Sequence, residues 1–407
     1  MVKRQRPRWR ELAPLLKRPP KSGARLERSL DRLANIEDLR RRGRRRTPRA
    51  AFDYVDGAAD DELSLSRSRR LFQDLEFAPN ILRDVSVCDP STSILGRRSA
   101  FPFAFAPTGF TRMMHHEGEA AVASVASDFG IPYVLSTMGT TSPEGVAAAA
   151  PDGERWFQLY VWKDRAVSEA LIERVKASGF STLVLTVDLP VGGARLRDVR
   201  NGMTIPPNLT LKAVLDGATH PRWWINFLTT EPLTFASLVS TDGTVVDTTD
   251  KFFDASLNFE DLSWLRDHWE GPIVVKGVQS VDDVKRCVAV GAAGVVLSNH
   301  GGRQLDRSPL PLRLIQPSVD AVGNDAEIYV DGGIMNGGDI VAAVALGANA
   351  ALVGRAYLYG LMAGGEAGVR RAAQILSEDI VRTMKLLGVQ SVEELTPSHV
   401  RLPRATT

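Results

Sequence analysis

Eight times along this chain a short apolar run gives way, within one or two residues, to polar residues or glycine. The runs are Phe103 to Ala106, Ile131 to Leu135, Trp156 to Val161, Leu183 to Val187, Ile273 to Val275, Val295 to Leu297, Ile328 to Val330 and Ala350 to Val353. Runs this short and this apolar read as strands buried on both faces. Helix-like segments lie between them. Glu117 to Phe129 and Val167 to Ser178 have helical length and pattern, and Ser142-Pro143 supplies a cap and a first-turn proline before an alanine run. Ser280 to Asp283 fits a capping box that Gly291 closes off, and Gly338 to Leu346 is an apolar helix ended by Gly347. Strand and helix alternating in this way predict parallel strands with crossovers, and eight such units close into an α/β architecture, the TIM (β/α)8 barrel.

An open doubly wound sheet is the structural alternative, and the polar residues argue against it. Thr108, Ser136, Gln158, Tyr160, Asp188, Lys276, His300, Asp331 and Arg355 all fall inside or just beyond the ends of the runs. A barrel gathers such residues from every strand into one mouth, whereas an open sheet uses one crevice. The first run is not followed by GxGxxG, so a Rossmann-type nucleotide fold has no local support.

One stretch carries the most chemistry: GVVLSNHGGRQLD, Gly294 to Asp306. A buried strand ends in a histidine that titrates near neutral pH, two glycines that let a ligand come close, and an arginine able to grip a carboxylate with two prongs. A polar turn after a core strand is the plain alternative. Asp188 could orient His300, while Arg195 and Arg303 could share a substrate carboxylate with Tyr54 and Tyr160 beside it. Ser136, Gln158 and Thr186 suit the polar edge of a planar heterocycle. Lys276 fits either a Schiff base, negative charge on a bound ring, or an ordinary ion pair in the mouth. The glycines of Asp331-Gly332-Gly333, and Gly354 before Arg355, end the last two runs, where barrels of this kind often hold a phosphate.

Charge is unevenly spread over the 407 residues. Residues 1–49 hold 18 Lys and Arg against 5 Asp and Glu, and the remainder holds 32 against 43. A basic N-terminal arm, 1–49, thus precedes an acidic body, 50–400. Arg40 to Arg49, RRRGRRRTPR, reads as a face paired with acidic surface, as a contact for an anionic membrane, or as a nucleic-acid site. No zinc-finger or RNA-binding signature supports the last, so no nucleic acid is expected. Asn35 could open a short helix carrying this cluster, which Pro48 breaks or follows with the next; Ala50 to Asp61 could cap the open end of the core and lend Tyr54 to a ligand, a plain surface aromatic being the alternative. Cys88 and Cys287 lack a CxxC partner, so neither a metal site nor a disulfide framework is expected. The chain shows no secretory signal and no run of eighteen apolar residues, which predicts a cytoplasmic protein, with peripheral attachment to the inner face of the membrane left open. The interval 189–269 is too long for one crossover. Its stretch HPRWWINFLTTEPLTFASL, His220 to Leu238, suits a lid, a subunit contact or a lipid boundary.

With these residues in view the chain resembles the FMN-dependent 2-hydroxy acid dehydrogenase and oxidase family over about residues 34–400. SNHGGRQLD is the specific signature, joined by PTG at 107–109, QLY at 158–160, TVD at 186–188, KG at 276–277, DGG at 331–333 and GR at 354–355. Within the family the bacterial quinone- or cytochrome-linked L-lactate dehydrogenases are most similar. The resemblance implies His300 as active-site base with Asp188 as its partner, Arg195 and Arg303 on the substrate carboxylate, and Tyr54 and Tyr160 on carboxylate and hydroxyl oxygens. It implies Lys276 near the flavin N1 and O2, and Pro107, Thr108, Gly109, Ser136, Gln158, Thr186 and Ser298 along the isoalloxazine or ribityl chain. Asp331, Gly333, Gly354 and Arg355 would hold the ribityl and phosphate end of FMN. It also implies a homotetramer that oxidises L-lactate to pyruvate and passes electrons to a quinone or other carrier. The alternative is an oxygen-using oxidase or lactate 2-monooxygenase; a catalytically silent anion-binding scaffold is the alternative from another class.

Three departures stand out. Met335 replaces an arginine that the family often has two residues after DGG, so phosphate binding would lean on Arg355, the backbone and helix termini. Met138 replaces a bulky aromatic found in many members, which leaves substrate size open. Gly109 is alanine in many members, and less bulk there implies altered oxygen access.

Overall fold

Each of the eight apolar runs is a strand. They are β1 (Phe103–Phe105), β2 (Tyr133–Ser136), β3 (Arg155–Leu159), β4 (Thr182–Thr186), β5 (Ile273–Val278), β6 (Gly294–Leu297), β7 (Glu327–Asp331) and β8 (Ala350–Val353). The computed structural model describes residues 25–202, 216–231, 233–236 and 254–404. All neighbouring strands pair in parallel, and β8 pairs with β1, so the sheet closes into a barrel and the open-sheet alternative falls. Boundaries moved by a residue or two: β2 begins at Tyr133 and β3 ends at Leu159, which puts Tyr160 just beyond its strand.

The strands place side chains inward at every second residue. One apolar layer inside the barrel is built from Ala104, Val134, Trp156, Val184, Val274, Val296, Tyr329 and Ala350. Two residues further along six of those strands stand Ser136, Gln158, Thr186, Lys276, Ser298 and Asp331, all buried. Register holds this second layer level, with Ser136 opposite Gln158 and Thr186 opposite Lys276. A hairpin of Thr92–Ile94 and Arg97–Ser99, not foreseen in the sequence, closes the floor with Ile94 packed into the apolar layer.

Crossover helices begin where their caps lie. Ser142 accepts a hydrogen bond from Gly145 N, and Ser280 accepts one from Asp283 N. Asn35 caps Ile36–Arg44, and Pro48 is the N-cap of Arg49–Asp56. Phe52 in that helix is buried against Tyr359, whereas Tyr54 turns to the barrel mouth. The arginine cluster is partly inward-looking. Arg40 pairs with buried Asp56 at 2.6 Å, which also takes Arg197 at 3.0 Å and the Tyr359 hydroxyl at 2.9 Å. Arg42 and Arg46 both donate to the Ala363 carbonyl, 3.1 and 2.8 Å away. That carbonyl immediately precedes Gly364 and Gly365, where the helix Arg355–Leu387 is broken by non-helical backbone angles.

The long excursion after β4 contains the helix Pro221–Thr229. Trp223 and Phe227 stack at 4.9 Å, and the Trp223 indole N–H donates to Met113 O at 2.9 Å. Ile225 and Leu228 on the same helix are exposed. Pro206-Pro207 and Leu238 lie outside the described residues.

Candidate active site

A cavity of about 1620 Å³ opens at the C-terminal ends of the strands. Ordinary small-molecule sites span roughly 300–1,000 Å³, so this one has room for a cofactor and a substrate together. Every site residue expected from the sequence lines it except Asp188 and Ser298, which stand behind Lys276 and His300.

The turn after β6 is built around Ser298 and Asn299. The Ser298 hydroxyl oxygen accepts from His300 N at 2.9 Å and from Lys276 Nζ at 3.2 Å, and Asn299 Oδ1 accepts from Gly302 N at 3.1 Å. His300, Gly301 and Gly302 then adopt φ values of 56°, 61° and 76° in succession. Left-handed backbone is uncommon at a histidine, and here it aims the imidazole at β4. A Cβ at Gly301 would lie 2.8 Å from Arg355 Nη1, and one at Gly302 would lie 2.7 Å from Leu65 N, so neither position has room for a side chain.

His300 Nδ1 meets Asp188 Oδ1 at 2.9 Å. With Asp188 ionised, Nδ1 carries the proton and Nε2 is left as the basic atom. Burial, with Lys276 adding to it, holds the imidazole below its ordinary value of 6.5 despite the pull of Asp188. His300 is therefore neutral at rest and able to accept a proton. Burial works against the Asp188 charge too, but His300 and then Lys276 outweigh it and keep its pKa below the usual carboxylate value. Gly277, at φ 106°, permits this arrangement, because a Cβ there would come within 2.7 Å of Asp188 Cβ and Cγ. Lys276 Nζ pairs with Asp331 Oδ2 at 3.0 Å. Burial disfavours its charge, yet Asp331 and Asp188 together hold it above the ordinary lysine range. A charged lysine paired in this way does not have the free amine that a Schiff base needs.

Arg303 and Arg195 form the other half of the centre. Both lie over the Tyr54 ring, with guanidinium carbons 4.9 and 5.8 Å from its centroid. Arg303 donates to the carbonyls of Tyr54 and Gly57. Among the described residues no carboxylate forms an ion pair with either arginine. Burial lowers the Arg303 pKa, and Arg195 and Arg355 add repulsion. Two guanidinium groups so placed call for an anion. Burial, then Asp188, raises the Tyr160 hydroxyl above its ordinary range, so it stays a neutral donor.

Arg355 also has a structural role. Its Nε, Nη1 and Nη2 donate to the carbonyls of Val55, Gly301 and Gly57 at 2.9, 2.9 and 2.8 Å. The guanidinium thus ties the cap helix to the His300 turn, and only its remaining N–H groups are left for a ligand. Gly109 sits close to Met138: a Cβ there would lie 2.9 Å from Met138 Cβ.

Sequence reasoning named Met138 and offered the stretch holding Phe235 as a lid, but it did not single out Phe110 or Leu189 for the apolar wall. Phe110 and Phe235 meet edge-on at 4.6 Å, and Met138 and Leu189 complete the lining. Phe235 arrives from the excursion, whose Ala236 N donates to Gly139 O at 3.1 Å. Its aromatic richness was the only signal.

Several buried polar atoms in the cavity have no partner among the described residues: Gln158 Nε2, Thr186 Oγ1, Asp331 Oδ1 and Arg195 Nε. Buried polar groups are rarely left unpaired. A donor, a hydroxyl and a carboxylate oxygen from different strands, beside the Lys276 charge, match the edge of a flavin ring and its ribityl chain. The residues present therefore fit FMN, and the fold and site define a flavin-binding barrel oxidoreductase.

Comparison with known proteins takes the assignment further. The family model for FMN-dependent dehydrogenases matches residues 43–402. The chain is 56% identical to a putative L-lactate dehydrogenase of Mycobacterium tuberculosis, over 98% of this chain and 96% of that one. It is 40% identical to (S)-mandelate dehydrogenase of Pseudomonas putida, over 91% and 94%, and 40% identical to an L-lactate dehydrogenase of Caulobacter vibrioides, over 92% and 99%. A crystal structure of (S)-mandelate dehydrogenase, described as a monotopic membrane protein, superposes with a TM-score of 0.86 at 40% identity, covering 91% of this chain and all of that one. The chain belongs to the FMN-dependent dehydrogenase family, and its cofactor is FMN.

Proposed function

We propose that this enzyme oxidises a small L-2-hydroxy acid, L-lactate in the first place, to the 2-keto acid, and that its electrons pass to a quinone or similar carrier. The observation that carries the substrate class is the pair Arg195 and Arg303, over the Tyr54 ring in the cavity and beside a neutral imidazole, with Asp198 the carboxylate that acts on both from beyond ion-pair distance. A carboxylate docked on both guanidinium groups is fixed in orientation, with Tyr54 and Tyr160 offering hydroxyls alongside. His300 Nε2 takes one proton from the substrate, and Asp188 offsets the imidazolium that results. Lys276 balances negative charge at the ring edge. FMN, when bound, supplies the redox chemistry by accepting the electron pair. Phe110, Met138 and Phe235 receive the apolar tail of the substrate, and the relatives named for lactate support a short one.

Attachment to a membrane surface is supported by the exposed Ile225 and Leu228 on the excursion helix, and by the monotopic relative. Among the described residues no helix is long and apolar enough to cross a membrane. Amphipathic helices bind lipid in the plane of the interface.

The test is anaerobic reduction of the purified yellow enzyme by L-lactate, glycolate, mandelate and longer 2-hydroxy acids, followed by reoxidation. Bleaching by L-lactate with rapid recovery on a quinone is expected. Failure of every L-2-hydroxy acid to bleach the flavin would overturn the reading. Fast reoxidation by oxygen, with peroxide or acetate as product, would instead make it an oxidase or monooxygenase.

A further inference from the structure

The cavity runs on from His300 to a second end, formed by Asp331-Gly332-Gly333, Met335, Asn336, Gly354 and Arg355. Cations are short there. Lys276 is paired with Asp331, and Arg355 spends three N–H groups on carbonyls. Position 335 is a methionine and brings no charge. Just beyond it lies the buried carboxylate of Asp339, which accepts from Met335 N at 2.7 Å and from Asn336 N at 3.2 Å. A phosphate dianion at this end would meet that negative charge at close range.

The helix Leu63–Asp74 supplies what the loop lacks. It lies flush against the site, because a Cβ on Gly333 would come within 3.1 Å of three Ser68 atoms. Ser68 also accepts a bond from Asn299 Nδ2 at 3.4 Å. One residue further along, Arg69 reaches into the cavity lining, donates from Nη1 to Gly333 O at 2.8 Å and forms an ion pair with Asp339. Both contacts use Nη1, and a guanidinium fork carries five N–H donors.

We propose that Arg69 brings a second cation to the FMN phosphate site beside Arg355, delivered by the N-terminal helix rather than by the loop after β7. Its role is double: it neutralises Asp339, and it presents the rest of its fork to the phosphate oxygens. The proposal rests on FMN as cofactor and on the Gly333–Gly354 end of the cavity as the phosphate end.

The test strips flavin from the full-length enzyme and titrates the apoprotein with FMN and with riboflavin, which has no phosphate, reading the quenching of flavin fluorescence. Arg69→Met should weaken FMN by about tenfold to a hundredfold, the scale of a charge-assisted hydrogen bond, and leave riboflavin unchanged. Arg69→Lys should fall between, and adding Met335→Arg to Arg69→Met should restore preference for FMN. Equal weakening of FMN and riboflavin would make Arg69 a packing residue and overturn the proposal, as would undiminished FMN affinity. An unaltered apoprotein that binds riboflavin as tightly as FMN would overturn the phosphate-end assignment itself.

Discussion

The barrel interior contains two layers only two residues apart on the same strands, and they solve opposite problems. In the lower layer the polar atoms of large side chains are satisfied internally. Trp156 Nε1 donates to Glu154 at 3.0 Å, and the Tyr329 hydroxyl donates to Glu327 at 2.5 Å. In the upper layer Gln158, Thr186 and Asp331 keep buried atoms without a partner among the described residues. The lower layer is finished as it stands; the upper layer is completed only by what binds to it. Burial alone does not tell a core residue from a site residue here, but the state of its hydrogen bonds does.

The comparison breaks most visibly at its functional extreme. Replacing His300 with Ala should cut kcat by about 10²–10⁴, the range for losing a general base, while the absorbance spectrum still shows bound flavin. Near-normal turnover would remove the imidazole from the mechanism. At the structural extreme, Trp156→Ala should cost about 3–5 kcal/mol, measured by denaturant unfolding, with little change in turnover per folded, flavin-loaded molecule. A catalytic collapse without loss of stability would mean that the two layers are not separable.

Thr186→Val gives a smaller effect with a sign that only a binding layer predicts. Removing an unpaired buried hydroxyl should leave the apoprotein as stable or more so, and weaken flavin binding by about 1 kcal/mol. Thermal melts of the apoprotein and flavin titrations read the two terms separately. The smallest effect concerns pH. His300 accepts a proton only when neutral, and its pKa lies below 6.5. The kcat/KM profile should therefore be flat through neutrality and fall as pH drops through that lowered value. Asp188 raises it more than Asp331 does, so Asp188→Asn should move the acid limb further down. A limb that moves up would put the proton acceptor elsewhere.

Strand positions and most of the upper layer were legible in the sequence because both follow a period of two that ends at a polar residue. Helix starts were legible where a cap announced them, as at Asn35 and Ser142. What the sequence hid is tertiary. No local pattern tells that the cap helix brings the Val55 and Gly57 carbonyls to Arg355. Arg69 sits in an ordinary amphipathic helix, and nothing local tells that Gly333 lies against it. Phe235 is distant in sequence from the loop it packs on, so no local pattern marks it as part of a pocket wall.

The two arginines gripping the Ala363 carbonyl bear on how the N-terminal region should be probed. Deleting residues 1–49 would subtract positive charge, but it would also strip both donors from a buried break in the helix Arg355–Leu387. A shortened protein that lost membrane or partner affinity would thus be ambiguous between missing electrostatics and a loosened hinge. Charge reversal at Arg41 or Arg44, which leaves the clasp intact, is the cleaner instrument.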